Sequence, residues 1–203
     1  MSKILKAKKT FEEAGFTFED IRRMSKCSIK QIYHALRGSF NKVSWKRLVC
    51  RNAGCPRWTF TLTIAAHGKL YTKDRLSKWG VKVDQMCVLC TKENETVQHL
   101  FFECSFAAKL WGNLLQWQGI NRIVYGWNEE LAWAEDWVKR QNANTELYKM
   151  TLAACVYHVW QERNARIFEE KERKWEMLGK RIIQEIHCRS NKRVEKALGR
   201  LDW

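Results

Sequence analysis

Cys87, Cys90, His99 and Cys104 follow the pattern C-x2-C-x8-H-x4-C. Two cysteines separated by two residues can turn tightly and aim both sulfurs at one ion. A histidine and a third cysteine arriving shortly afterwards complete four donors, the tetrahedral set that Zn²⁺ takes in structural sites. Protein would fill every coordination position, leaving none for a substrate or an activated water. The pattern therefore predicts a structural zinc rather than a catalytic one. A free cysteine is also a good small core residue, and a lone histidine is usually a satisfied polar group. It is the gathering of all four within eighteen positions that points to metal.

The spacing constrains the elements that must carry these side chains. Residues five apart do not share a face of an α-helix, so His99 and Cys104 could not converge from one unbroken helix. A break is predicted: His99 on a short helical turn, Cys104 at a junction, and Ser105 as N-cap of a helix over residues 106–116. Asn94 and Glu95, between the two ligand pairs, read as a loop tip. Residues 81–86 could form a short strand leading into the Cys87 turn.

The 203-residue chain has a hydrophobic share of 45% and eleven tryptophans, which excludes a disordered tail and allows one good core with a small metal-pinned unit. No apolar run approaches the roughly 20 residues of a membrane span, and the basic start lacks the apolar stretch of a secretory signal. With eight cysteines and no signal, a reducing compartment is expected, nuclear or cytoplasmic, where thiols serve metals and cores. Cys27, Cys50, Cys55, Cys155 and Cys188 show no second ligand spacing. The net charge of +15 is uneven: residues 31–90 hold eleven Lys/Arg against two Asp, residues 91–160 six against eight acidic groups. A basic stretch leading into a zinc site is the electrostatic footprint of a nucleic-acid binder.

The remaining pattern is helical. Residues 1–27 read as a lead-in helix and linker. Ser28 caps a short helix ended by Gly38, with Ile29, Ile32, Tyr33 and Leu36 as its face. Ser44 could cap the next, with Trp45, Leu48 and Val49 inward, Lys46, Arg47 and Arg51 outward, and Gly54 closing it. Pro56 suits a first helical turn. Thr61 and Thr63 would allow a strand there, but Pro56 and Gly68 bracket a helix better, with Trp58, Leu62, Ile64 and Ala65 apolar. Thr72 caps residues 73–79, and Lys69, Lys73, Arg75 and Lys78 are expected along one exposed edge as a phosphate-contacting surface. Trp133 and Trp137 fall in a helix over residues 129–140, where tryptophans at helical spacing are core more often than base-stacking groups. Residues 146–172 read as one long helix with Leu147, Met150, Ala154, Tyr157, Trp160, Asn164 and Phe168 as its stripe. Residues 171–201 continue helical with Trp175, Leu178, Ile182 and Ile186, a tail that could pair back on the preceding helix or dock on a partner.

Longer runs then carry a resemblance: residues 29–38 (IKQIYHALRG), 43–50 (VSWKRLVC), Ala65-Ala66-His67-Gly68-Lys69-Leu70, Thr72-Lys73-Asp74-Arg75-Leu76, Trp79-Gly80, the metal quartet, Trp111, and residues 159–168 (VWQERNARIF). In this order the chain resembles the zinc-binding domain of reverse transcriptases from plant LINE-type (non-LTR) retrotransposons. The resemblance implies that Cys87, Cys90, His99 and Cys104 ligate zinc, that the module follows a polymerase region, and that it helps that enzyme hold nucleic acid. Such a polymerase needs clustered carboxylates for two divalent ions, whereas Asp20, Asp74, Asp84, Asp136 and Asp202 are isolated.

The expectation is a mostly α-helical, multi-helix domain with a small Cys-Cys-His-Cys zinc-binding unit and a long C-terminal helical region. Its parts are a lead-in over 1–27, a reverse-transcriptase-type zinc-binding domain over 28–120, and a helical region over 121–203. The expected cofactor is Zn²⁺, the expected partners RNA or DNA and possibly a polymerase module, with no membrane and no catalysis of its own. Lys46, Arg47, Arg51, Lys69, Lys73, Arg75 and Lys78 are the candidate phosphate contacts. The alternatives are a zinc-stabilised scaffold that docks a polymerase or another chain, an enzyme fragment, or a retroelement remnant.

Overall fold

The computed structural model describes residues 9, 11–23, 29–37, 43–199 and 201. The chain divides into two units, residues 1–42 and 43–203. The described residues are mostly helical and contain no strand.

In the first unit, α1 (Phe18–Arg23) begins at Thr17, whose hydroxyl accepts the Asp20 N–H while Asp20 Oδ2 accepts the Thr17 N–H. This reciprocal cap explains why the helix starts here. α2 (Ile29–Arg37) matches the expected short helix, but Tyr33 and Leu36 of its apolar face are exposed. Lys3, Ile4, Leu5, Lys6 and Lys8 of the lead-in, and the expected cap Ser28 and stop Gly38, lie outside the described residues.

The second unit holds α3 (Lys46–Val49), α4 (Pro56–Ala66), α5 (Lys73–Lys78), a π-helical turn (His99–Glu103), α6 (Ser105–Trp117), α7 (Trp127–Trp137) with a 3-10 turn (Val138–Arg140), α8 (Ala143–Phe168), α9 (Trp175–Arg189) and α10 (Lys192–Leu198). Pro56 stands in the first turn of α4, and Gly68, at φ +61°, closes that helix as Lys69 N–H returns to the Ile64 carbonyl. α3 is shorter than expected and Ser44 does not cap it. The chain leaves the helix at Cys50, Arg51 adopts φ 59°, and Asn52 ties the exit to the Leu48 and Lys149 carbonyls, so Gly54 closes nothing.

α8 is the centre of the unit, with α4, α9, α10 and α6 packed around it. Leu147, Met150 and Ala154 are buried as their spacing predicts, but so are Thr151, Leu152, Ala153, Cys155, Val156 and Val159. A helix apolar on all sides is enclosed on all sides, and the single expected stripe understated it. Phe168, at the end of that stripe, is exposed. α8 starts before Glu146 because Asn142 and Thr145 form a capping box, each side chain accepting the other's N–H at 2.9 Å. It ends at Phe168, where Glu170 turns to φ 54°.

The tail is not one continuous helix. It breaks at residues 169–174 and again at Ser190, where Asn191 caps α10 by accepting the Arg193 and Val194 N–H groups at 3.0 Å. The breaks fold Leu178, Ile182 and Ile186 back into the core beside α8 and α6. α7 begins at Trp127. Trp133 and Trp137 stack on each other at 5.0 Å, half-buried, and Trp133 lies under the Arg122 guanidinium at 3.9 Å. Arg122 and Tyr148 both engage the fully buried Glu130 carboxylate, so Trp133 covers a buried ion pair and Trp137 backs it.

Candidate metal centre

The ligand atoms of Cys87, Cys90, His99 and Cys104 all lie within 4.8 Å of one another. Cys87 Sγ stands 4.0 Å from Cys104 Sγ, and Cys90 Sγ 3.2 Å from His99 Nε2. Zn–S bonds of about 2.3 Å and Zn–N bonds of about 2.0–2.1 Å, tetrahedrally arranged, place donors roughly 3.5–3.8 Å apart, a spacing the two measured separations bracket, and the four atoms gather around one point where a single ion could be held. Three sulfurs and an imidazole, with no carboxylate, suit zinc and not the hard cations.

The expected break between His99 and Cys104 is present in a specific form. Residues 99–103 make a π-helical turn, and Cys104 N–H bonds the His99 carbonyl five residues back at 2.6 Å. That i→i+5 closure brings together two side chains that an α-helix would separate. Cys104, not Ser105, occupies the N-cap position of α6; Ser105 is already helical. The Phe106 and Ala107 N–H groups favour the Cys104 thiolate, as helix N-termini do.

On the other side, Cys87 N–H bonds the Glu93 carbonyl and Thr91 N–H the Cys87 carbonyl, both at 2.8 Å, closing the turn. The short strand expected over 81–86 is reduced to one bridge, Met86 with Asn94. Its backbone is taken by side chains instead: Asp84 accepts the Met86 N–H and Lys73 Nζ donates to the Met86 carbonyl at 2.7 Å. Contact with Cys104 is the strongest influence lowering the Cys87 pKa, to about 5, against the effect of burial; Leu89 and Cys90 N–H groups assist. The shared contact pushes Cys104 upward. One sulfur is thus prepared as a thiolate, the form a metal binds.

Thr91 sits at φ 55° directly after Cys90. A β-branched residue in the left-handed region costs about 1–2 kcal/mol, and glycine there loses roughly 0.5–1 kcal/mol to chain entropy. Thr91→Gly is therefore expected to stabilise the metal-loaded protein by about 0.5–1 kcal/mol. Urea unfolding checks this, and a destabilised variant would show that the Thr91 hydroxyl, which donates to the Cys90 carbonyl at 2.7 Å, outweighs the backbone effect.

What positions the turn is a set of long-range contacts that local sequence rules do not show. Glu95, read from sequence as a loop tip, is fully buried. Its Oε1 accepts the Lys73 N–H at 3.0 Å, capping α5 in place of Thr72, whose hydroxyl instead donates to Asp74. Both Glu95 oxygens accept from Arg163 of α8, the shortest contact being 2.7 Å. One helical turn on, Arg166 donates to the Val88 and Leu89 carbonyls, the two residues between Cys87 and Cys90. Glu162, also fully buried, holds Arg166 in place. The run 159–168 thus clamps the cysteine turn from outside. Its arginines inside a long helix were the available signal; their partners, more than sixty positions away in sequence, were not readable.

The basic candidates separate. Lys46, Arg47, Arg51 and Lys69 are exposed. Lys78 is exposed and pairs with Asp74 at 3.3 Å. Arg75 is half-buried, bonded to the Gly68 carbonyl and lying 5.0 Å over the Trp79 ring. Lys73 does not lie on the exposed edge: it is buried, and its ammonium supports the Met86 carbonyl beside Cys87 and faces Asp84 at 3.7 Å.

Residues 27–111 match the family model for zinc-binding in reverse transcriptase, and all four candidate ligands fall inside the match. That stretch is similar to a reverse-transcriptase zinc-binding domain, a domain class that is not itself catalytic. No curated protein and no solved structure gives a significant match.

Proposed function

We propose that the chain is a structural-zinc module that binds nucleic acid largely without sequence preference, derived from a non-LTR retrotransposon polyprotein of the plant LINE type and lacking polymerase chemistry of its own. Zn²⁺ would be held by Cys87, Cys90, His99 and Cys104. The observation that carries the reading is the set of exposed cations, Lys46, Arg47, Arg51, Lys69 and Lys78, in the same unit as the metal cluster. RNA or DNA would be the partner, a polymerase module a second one, and the nucleus the natural place for both. Docking through residues 146–203 is less favoured, because Leu178, Ile182 and Ile186 of α9 and Val194, Ala197 and Leu198 of α10 are buried in the core, leaving Phe168 and Met177 as the large exposed apolar side chains among the described residues of that stretch.

Phosphate contacts release counterions, so affinity should fall steeply with salt, with a log–log slope of about −0.7 per contact on single strands. Replacing Lys46, Arg47 and Lys69 together with Ala is expected to weaken binding and flatten that slope by about 2, with zinc content unchanged. Anisotropy titrations at several salt concentrations check this. An unaltered slope would remove these side chains from the interface.

A further inference from the structure

Trp58, Trp111 and Trp127 are buried, but Trp79 is 55% exposed and the neighbouring Tyr71 61%. The two rings meet edge to face at 5.4 Å. Arg75 lies over the indole, its guanidinium anchored on the Gly68 carbonyl, so the aromatic group is held in place rather than loose. Exposed Lys78 lines the same cleft as Trp79 and pairs with Asp74. Beside it opens a cleft of about 560 Å³ whose walls include His67, Thr72, Asp74, Gln98 and Asn128, within the range that accommodates a small organic group. Gln98 directly precedes the candidate ligand His99, and α5 is tied to the cysteine turn through Glu95 and Lys73. The platform is therefore built onto the metal centre.

We propose that Trp79, with Tyr71 and Arg75, is a stacking platform for an unpaired base, and that the nucleic acid bound is single-stranded. The inference rests on the nucleic-acid reading above and deepens it. An exposed indole beside cations suits a base with a free face; bases inside a duplex are already stacked on their neighbours and cannot offer one. Any base has such a face, which accords with binding that ignores sequence.

The test is anisotropy with three labelled probes of equal length: a single-stranded oligouridylate, an RNA duplex, and a single strand with abasic sites that keeps its phosphates. Trp79→Ala is expected to weaken oligouridylate binding about tenfold or more, to change duplex and abasic binding less than about twofold, and to be largely rescued in Trp79→Phe. Equal loss on all three probes, or no loss on any, would overturn the platform while leaving the nucleic-acid reading in place; in the second case the aromatic pair would be a protein-docking surface. Failure of the unaltered protein to bind any probe would overturn both. Zinc content and melting temperature are followed in each variant. Should Trp79→Ala unfold, Tyr71→Ala is compared on the same three probes: selective loss on oligouridylate supports the platform, and equal loss or no loss overturns it.

Discussion

Removing the metal with a chelator is expected to unfold the region around residues 72–104, while α6 to α10 remain helical. Apart from the Arg163 and Arg166 clamp from α8, little secondary structure holds the turn. Its regular pairing is one bridge, Met86 with Asn94, supported by a few bonds such as Glu95 N–H to the Gln85 carbonyl at 2.8 Å. Without an ion, Cys87, Cys104 and His99 would be buried polar groups gathered at one point. Zinc binding in small zinc-finger peptides is worth roughly 10–16 kcal/mol, which there is folding free energy. The long helices have their own core in Leu110, Leu114, Met150, Leu152, Ile182 and Ile186, all fully buried. Loss of part of the helical circular dichroism, with proteolysis beginning between residues 72 and 104, is the expected result. Identical melting and cleavage with and without chelator would mean that the turn folds without metal.

The second large effect is expected at Arg163. Glu95 is fully buried and Arg163 nearly so, and the guanidinium supplies three of the carboxylate's hydrogen bonds. Removing one partner of a buried ion pair leaves a charge without water or counter-charge, typically a loss of about 3–5 kcal/mol. Arg163→Ala should therefore lower the stability of the metal-loaded protein by about that amount. The double variant Arg163→Met, Glu95→Gln should lose less than Arg163→Ala alone, because no unpaired charge remains. Urea unfolding of the single and double variants measures this. A single variant within about 1 kcal/mol of the parent would show that water reaches Glu95.

The parts legible in the sequence are those governed by local rules. The quartet's spacing announces a metal site, and the five-residue step from His99 to Cys104 demands a break, because α-helical rotation cannot join them. Pro56 and Gly68 bracket α4 as their backbone preferences require. The form of the break, a π-turn with Cys104 as cap, was not legible, since Ser105 is the better cap by residue type. Lys73 and Glu95 were misplaced for a common reason. A charged side chain is read as exposed unless its partner is known, and Arg163 lies 68 positions from Glu95. The same limit applies to α8: periodicity shows one face, and only its neighbours determine that the rest is covered. The tail's folding back depends on the turn after Phe168, where a non-glycine residue, Glu170, takes a left-handed conformation.

The most direct test of the central claim is metal content by native mass spectrometry, on the unaltered protein and on Cys87→Ser, Cys90→Ser in parallel, with circular dichroism on both. A structural zinc predicts one zinc per chain in the first and none in the second, together with a loss of helical signal and a lower melting temperature. A metal-free unaltered protein that melts at the same temperature as the variant would contradict it.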